Sequence, residues 1–176
     1  MNLSHTATIA VVRTVELRAA ARHEVETSSL IQRCAAGDQL AAIALHKGFW
    51  PFVSEFELAI DQHPQLRRPL RAKFGAEFAN RIFLGLAKSV RQMKTEEGSH
   101  AAHWQKDAES LGVHGLDAPL VDGVRDLIVE AYLPDHVRFF SVLAGTEFIA
   151  EELGTFLVNA PRYVSLFGRR RWVWGE

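Results

Sequence analysis

Apolar residues recur at intervals of three or four positions through long stretches of this chain, and this spacing constrains the fold more than any other feature. Such intervals place apolar side chains on one face of an α-helix, whereas a half-buried strand alternates polar and apolar residues. Alternating β-branched runs bounded by hairpin turns do not occur in the sequence. The pattern therefore predicts an all-α protein, a single-domain bundle of about six helices that spans residues 1–176.

Glycine, proline and capping residues predict where the helices begin and end. The predicted helices cover 9–33, a segment beginning at Asp38, 74–97, 121–132 and 137–158, with a short final turn at Pro161. Pro51 is expected to kink or break the second helix because proline removes a backbone hydrogen bond. Gly98 either ends the third helix or bends one long helix that continues through Asp107. Residues 63–69 are predicted to form a connector, and residues 112–119 a loop.

Composition excludes several classes of protein. Of the 176 residues, 48% are apolar and 23% are charged, which is not the composition of a disordered or collagen-like chain. A single cysteine forms no internal disulfide, and no segment has the length of an apolar membrane span. Residues 1–12 lack the basic start and long apolar run of a signal peptide, so we expect a soluble, cytoplasmic protein.

The balance of charges bears on the partners of the protein. The chain has 20 Lys and Arg residues against 21 Asp and Glu residues, which gives a formal net charge of −1. Such a balance provides no overall attraction to polyanions. We therefore expect neither nucleic acid nor a membrane as a partner, and either role would need a local basic patch.

The segment 94–107 concentrates potential metal ligands and proton carriers. The predicted ligands are Glu96, His100, His103 and Asp107. If the helix continues through Gly98, these four residues follow at offsets of 0, 4, 7 and 11 and share one face, which Glu97 flanks. Carboxylates and imidazoles that face the inside of a bundle are how helical proteins hold iron or manganese. The alternative is a solvated helix face, which such polar runs form more often than they form a site.

A second group of carboxylates lies on the fifth predicted helix. Glu147 and Glu151 are one turn apart among apolar residues, so at least one of them is predicted to lie near the apolar stripe. Both are candidate metal ligands, and an exposed helix face is the alternative. Burying an unpaired carboxylate is costly, so a buried glutamate here needs a metal, a histidine or an arginine. Glu147, Glu151 and Glu152 cannot all face inward.

Two isolated residues have weaker patterns. His23 lies on the first predicted helix and is an alternative candidate as a haem ligand, although a lone helical histidine is more often structural or exposed. Cys34 has no neighbouring histidine motif, so a nucleophilic role is not predicted. Neither a glycine-rich phosphate loop nor a Gly-x-Ser-x-Gly elbow occurs in the sequence.

Three stretches together resemble the haem-oxygenase-like superfamily of helical bundles. They cover 23–38, 48–57 and 96–112. This superfamily includes haem oxygenases, thiaminase II, the pyrroloquinoline-quinone synthase group and the haem-oxygenase-like diiron oxidases. The diiron members are similar in having a glutamate and, seven positions on, a histidine near the end of a long helix. Glu96 and His103 match that spacing.

The resemblance implies a non-haem iron-dependent oxidase or oxygenase that binds one or two irons and uses O2 on a small organic substrate. Glu96 and His103 would be iron ligands, and Glu147 or Glu151 would supply a further carboxylate from the next long helix. The final helix of that family carries a His-x3-Asp-x2-His motif, but no histidine follows His136 here. We therefore expect either an iron site that is incomplete without the ligands of that helix, or one to which His100, His103 and Asp107 supply ligands in a different way. A homodimer is one way to cover the groove left open.

The resemblance also leaves two alternatives. The first is a non-catalytic helical module whose pocket binds a small molecule or the helix of a partner. The second is haem binding, or haem oxygenase activity, through His23. Against the second, the glycine-rich distal helix of haem oxygenases is not recognisable. Thiaminase chemistry requires a cysteine in the pocket, and Cys34 is not placed for it.

Overall fold

The computed structural model describes residues 3–61, 63–133 and 135–168, and these residues form helices and no strand. With 85% helix, the all-α prediction is confirmed. The helices are α1 (Leu3–Thr27), α2 (Ser29–Ala35), α3 (Gln39–Asp61), α4 (Arg67–Phe74), α5 (Ala76–Ser110), α6 (Asp122–Tyr132), α7 (His136–Val158) and α8 (Pro161–Ser165). Within the described ranges, none of them combines the length and the apolar run needed to cross a bilayer.

Side-chain caps explain where several of these helices begin. Ser28 divides the predicted first helix into α1 and α2, because its Oγ accepts a hydrogen bond from the backbone N–H of Ile31. Asp38 caps α3 as predicted and accepts from the N–H of Ala41 at 3.1 Å. Asp135 accepts hydrogen bonds from two N–H groups in the first turn of α7. Each cap satisfies donors that have no partner inside the helix.

Two predicted interruptions lie inside continuous helices. Helix α3 runs past Pro51, and Ser54 donates a hydrogen bond to the Pro51 carbonyl at 3.2 Å. Helix α5 runs past Gly98 to Ser110, so the alternative of one long helix is the one observed. The continuity of α5 places the whole segment 94–107 on a single helix.

The predicted connector over residues 63–69 is instead a 3-10 turn followed by helix α4. Pro69 fits there because it lies in the first turn, where backbone N–H groups have no intrahelical acceptor. Leu70 is the buried residue of α4, and its basic side chains are exposed. Gly75, with φ of 86°, separates α4 from α5.

By residue contacts the chain forms two compact units. The central unit is residues 43–143, and the terminal unit combines residues 1–42 with residues 144–176. The core of the central unit is a cluster of Phe52, Phe56, Ile60, Leu66, Phe139 and Leu143. The single-domain organisation stays a prediction.

The terminal unit has its own buried residues on α1, α2, α7 and α8 and in the turn that follows α8. They include Val25, Cys34, Leu157, Tyr163 and Phe167. Gly37 follows α2 and has φ of 84°, the left-handed conformation in which a glycine commonly ends a helix. A side chain there would bring its Cβ within 3.1 Å of the Arg162 Cβ, so glycine also allows this close approach.

Candidate functional site

In the central unit, α3 and α5 bring charged side chains together along one line of contact, which we call the α3–α5 seam. Its members are Glu57, Asp61, Lys94, Glu97 and His100. Lys94 Nζ donates to both oxygens of Asp61, at 2.6 and 2.8 Å. This hydrogen bond and the nearby carboxylates raise the pKa of Lys94. One turn earlier on α3, Glu57 Oε2 lies 3.2 Å from the position that a Cβ would occupy at Gly98.

Glu97 is the most deeply buried acid of the seam, with 6% of its surface exposed. His100, one turn later on α5, places its Nδ1 3.3 Å from Glu97 Oε2. A buried carboxylate is costly unless a donor or a cation compensates for the lost water. The partly exposed imidazole of His100 supplies that donor when Nδ1 carries a proton.

The buried face of α5 coincides with the predicted ligand stripe at Asp107 but lies one residue out of phase with it at Glu96 and His103. Glu97, Trp104 and Asp107 are buried, whereas Glu96 is exposed and His103 is partly exposed. At about 100° per residue, Glu96 and His103 lie roughly a quarter turn away from Trp104. The large indole ring of Trp104 therefore sets which side of α5 faces the interior.

On α7 the buried glutamate is Glu152, and its partner is an arginine. Arg22 Nε and Nη2 donate to the two oxygens of Glu152 at 2.9 and 3.1 Å, which lowers the pKa of that carboxyl. Glu151 is exposed and forms an ion pair with Arg18, and Glu147 is exposed as well. A buried glutamate on α7 was expected to need a metal, a histidine or an arginine, and its partner in the structure is an arginine. The pairing was missed because a sequence does not tell which arginine faces α7.

The donor sets implied for iron do not assemble in the part of the chain that the structure describes. No three His, Cys, Asp or Glu side chains there stand close enough together to hold a metal ion. Glu97 and His100 form only a pair, although carboxylate and imidazole are donors that suit iron. His23, the alternative haem ligand, is an exposed residue of α1. Iron and haem binding both stay predictions.

A cleft of about 400 Å³ opens in the central unit between α3, the loop after α5, and α6. Its apolar lining includes Trp50, Leu120 and Ile128, and its polar lining includes Ser54, Glu55 and Asp117. Both charged groups are carboxylates, and neither lysine nor arginine is among the described residues that line it. We call this the α3–α6 cleft.

Glu55 is held in place at the wall of the α3–α6 cleft. The hydroxyl of Tyr132 on α6 donates to Glu55 Oε2 at 3.0 Å. Burial, together with this carboxylate, raises the pKa of Tyr132 to about 12, so the hydroxyl keeps its proton at neutral pH. Glu55 belongs to the stretch 48–57 that carried the family resemblance, but its pairing with a tyrosine on α6 has no signature in the sequence.

A second cleft, of about 390 Å³, lies in the terminal unit. Its charged lining consists of Arg22, Glu26 and Glu152, and Arg22 and Glu152 are already paired with each other. A ligand that used either member of this pair would have to compete with it. The α3–α6 cleft, whose carboxylates face no cation in its lining, is therefore the better candidate site.

We compared the chain with protein-family models, with curated proteins and with solved structures, and none of the three comparisons gave a match. The resemblance to the haem-oxygenase-like superfamily thus stays a prediction. The case for a function rests on the geometry of the clefts and of the α3–α5 seam.

Proposed function

We propose that this protein is a helical binding module that holds a small organic cation in the α3–α6 cleft. The supporting observation is a cleft of about 400 Å³ with two carboxylates, apolar walls and no basic side chain in its lining. Clefts of roughly 300–1,000 Å³ with mostly apolar walls and a few polar groups are the usual sites for small molecules.

Glu55 is the residue that selects the charge of the ligand. Its carboxylate attracts a cation and repels an anion, and the hydroxyl of Tyr132 fixes its position. A fixed carboxylate loses little side-chain entropy when a ligand ammonium group binds to it. Asp117, on the loop that also lines the cleft, adds a second negative charge.

Trp50 and the apolar lining select the body of the ligand. A cation within about 6 Å of an indole ring gains roughly 0.5–2 kcal/mol, so Trp50 favours the same charge as Glu55. Leu120 and Ile128 offer apolar contact for a hydrocarbon or aromatic group. The ligand class is accordingly an amine with an apolar body.

The proposal is tested by titrating isotope-labelled protein with phenethylamine and, as a neutral partner of the same shape, with phenylethanol. We expect the amine to shift the amide resonances of the non-proline residues in 50–55 and 116–120, and the alcohol to bind at least about tenfold more weakly. Glu55→Gln, which keeps an acceptor for Tyr132, should lose the preference for the amine. Glu109→Gln, on an exposed face of α5, is the matched control and should keep it. Equal binding of amine and alcohol to the unmodified protein would contradict the proposal.

A second candidate function is non-haem iron binding at the α3–α5 seam. The observation that favours it is the buried Glu97 beside His100, with Glu57 against the same turn of α5. The test is iron analysis after anaerobic reconstitution with Fe(II), in the unmodified protein, Glu97→Gln and His103→Ala. Iron lost only in Glu97→Gln supports the seam, and iron lost only in His103→Ala supports the ligand pair Glu96 and His103. No iron in any of them rules the candidate out.

Haem binding through His23 is examined with the same protein samples. A Soret band that disappears in His23→Ala would support a haem protein and replace both proposals above. No such band is expected, because His23 is an exposed residue of α1.

A further inference from the structure

The near-neutral net charge of the chain hides a strong local segregation of charge. Residues 67–91 contain seven basic side chains and one acidic one, Glu77, and so have a net charge of +6. The basic residues are Arg67, Arg68, Arg71, Lys73, Arg81, Lys88 and Arg91. Because the whole chain has a net charge of −1, the remaining residues together have a net charge of −7. A nucleic acid or a membrane as a partner would need a local basic patch, and residues 67–91 form such a patch.

The structure places these cations on α4 and on the first half of α5, with their side chains exposed. We call the exposed side chains of residues 67–91 the α4–α5 face. Arg67 Nη2 donates to Asn80 Oδ1 at 2.6 Å, which ties α4 to α5 without neutralising the arginine. Among the described residues, Arg81 is the cation of this face that has a carboxylate within 4 Å, that of Glu77 at 3.8 Å. Lys73 also acts on a carboxylate, because its charge contributes to the lowered pKa of Asp135. The charge of the remaining cations of the face is therefore left for a partner.

Apolar side chains protrude among these cations. Phe74 and Phe78 are 49% and 41% exposed, and their ring centroids lie 5.2 Å apart. Lys73 Nζ lies 5.3 Å from the centroid of the Phe74 ring. Leu84, farther along α5, is 79% exposed. Exposed Phe and Leu beside Arg and Lys are the composition of surfaces that lie at the boundary between lipid headgroups and acyl chains.

We propose that the α4–α5 face docks on an anionic lipid surface, with Phe74 and Phe78 entering the headgroup region and the surrounding cations contacting lipid phosphates and carboxylates. The charge of the face is opposite to that of such a surface, and each basic residue near it contributes to binding. The arginine and lysine stems are long enough to reach the headgroups while the rings enter. This role is independent of the α3–α6 cleft.

The same charges would also attract nucleic acid, but the apolar groups favour lipid. Bases bind by stacking on open aromatic faces. Here Lys73 lies over the ring of Phe74, and the two phenylalanine rings are tilted by 44° to each other, so they offer no flat platform. The side chain of Leu84 has no aromatic ring on which a base could stack. Lipid acyl chains, in contrast, readily accept an aliphatic side chain.

The test is vesicle flotation of the full chain with phosphatidylcholine alone and with about one third phosphatidylserine. We expect binding to the anionic vesicles only, and weaker binding as salt increases. Lys88→Glu should weaken it about 25-fold, because the substitution removes one favourable charge and adds one unfavourable charge, at roughly fivefold each. Lys106→Glu makes the same change on the same helix outside the face, and we expect it to leave binding within about twofold.

A second variant separates charge from insertion. Phe74→Ser with Phe78→Ser keeps every cation, so it should still be drawn to anionic vesicles but bind at least about fivefold more weakly. Circular dichroism of each variant confirms that it is folded. Equal loss in Lys88→Glu and Lys106→Glu, or no binding to anionic vesicles at all, would overturn the proposal. Binding of single-stranded oligonucleotides that depends on Lys88, without vesicle binding, would assign the face to nucleic acid instead.

Discussion

The indole Nε1 of Trp104 in α5 donates a 2.9 Å hydrogen bond to the backbone carbonyl of His46 in α3, and the two rings lie 4.6 Å apart. Both residues are almost completely buried. The contact joins positions 58 residues apart in the chain and therefore fixes how α3 and α5 pair in the central unit. With that pairing set, Asp61 meets Lys94 and Glu57 meets Gly98.

Trp104→Phe should destabilise the protein by about 2–3 kcal/mol, because it removes one buried hydrogen bond and leaves a space where the larger ring packed. The measurement is the free energy of unfolding in urea. Trp50→Phe, at a half-buried position of α3, is the matched control and should cost less than half as much. If the two variants had equal stabilities, the buried contact with His46 would not be what holds α3 against α5.

Gly85→Ala and Gly98→Ala compare two glycines of α5. Alanine at position 85 meets no atom within 4 Å and should stabilise the protein by about 0.8–1 kcal/mol through helix propensity alone. At position 98 the new Cβ comes within 3.2 Å of Glu57 Oε2, so the carboxylate must move and part of this gain is lost. Thermal unfolding of both variants gives the ranking. A larger gain at 98 than at 85 would mean that Glu57 does not lie against this turn.

Cys34 is fully buried, and burial raises the pKa of its thiol to about 11. The thiolate is the reactive form, so the folded protein should react with a disulfide reagent at pH 8 at least about 100-fold more slowly than the urea-unfolded chain. The chain has a single cysteine, so the absorbance change reports this thiol alone. Rapid reaction of the folded protein would show that the helices around Cys34 open readily.

Glu152 gives the protein a pH-dependent part of its stability. Its pKa is lowered in the folded state by Arg22, so this contribution is present above the ordinary glutamate pKa and is lost as the pH falls through the lowered value. Glu152→Gln should therefore be less stable than the unmodified protein at pH 7, and the difference should shrink as the pH falls below about 4.5. Urea unfolding over a pH series measures this difference.

Other carboxyls, such as Asp38 and Asp135, also have lowered pKa values, so the informative quantity is the difference between the variant and the unmodified protein. Glu24→Gln, on the exposed surface of α1, is the control and should follow the unmodified protein at every pH. A constant difference for Glu152→Gln across the series would contradict the role of Arg22.

Helix periodicity and caps were enough to predict most of the fold. Asp38 begins α3 and Gly37 ends the preceding turn, because both effects are local and act within a few residues. Helix α4 was missed, since four of its eight residues are basic and it contains Pro69, so its apolar pattern is too sparse to detect. Such a short helix depends on packing against α5, which no local pattern reports.

The orientation of the predicted metal ligands was predicted less well, for a geometric reason. The stripe through Glu96 and His103 and the stripe through Glu97 and Trp104 differ by one position, and spacing alone does not tell which of them faces inward. The bulky indole decides it through packing with His46 on another helix. In the same way, the sequence predicted that a buried glutamate on α7 needs a partner. It did not predict that this partner is Arg22.

The segregation of charge between residues 67–91 and the rest of the chain also has a practical consequence for handling this protein. A protein binds to an ion-exchange resin through the surface patch whose charge is opposite to that of the resin. The net charge of the whole surface matters less. Although the calculated isoelectric point is about 6.7, we expect the protein to be retained on a cation exchanger at neutral pH and low salt, through α4 and the start of α5. An anion exchanger would bind the same molecules through other residues. Two such chromatograms of one sample would reveal the segregated surface before any partner is known.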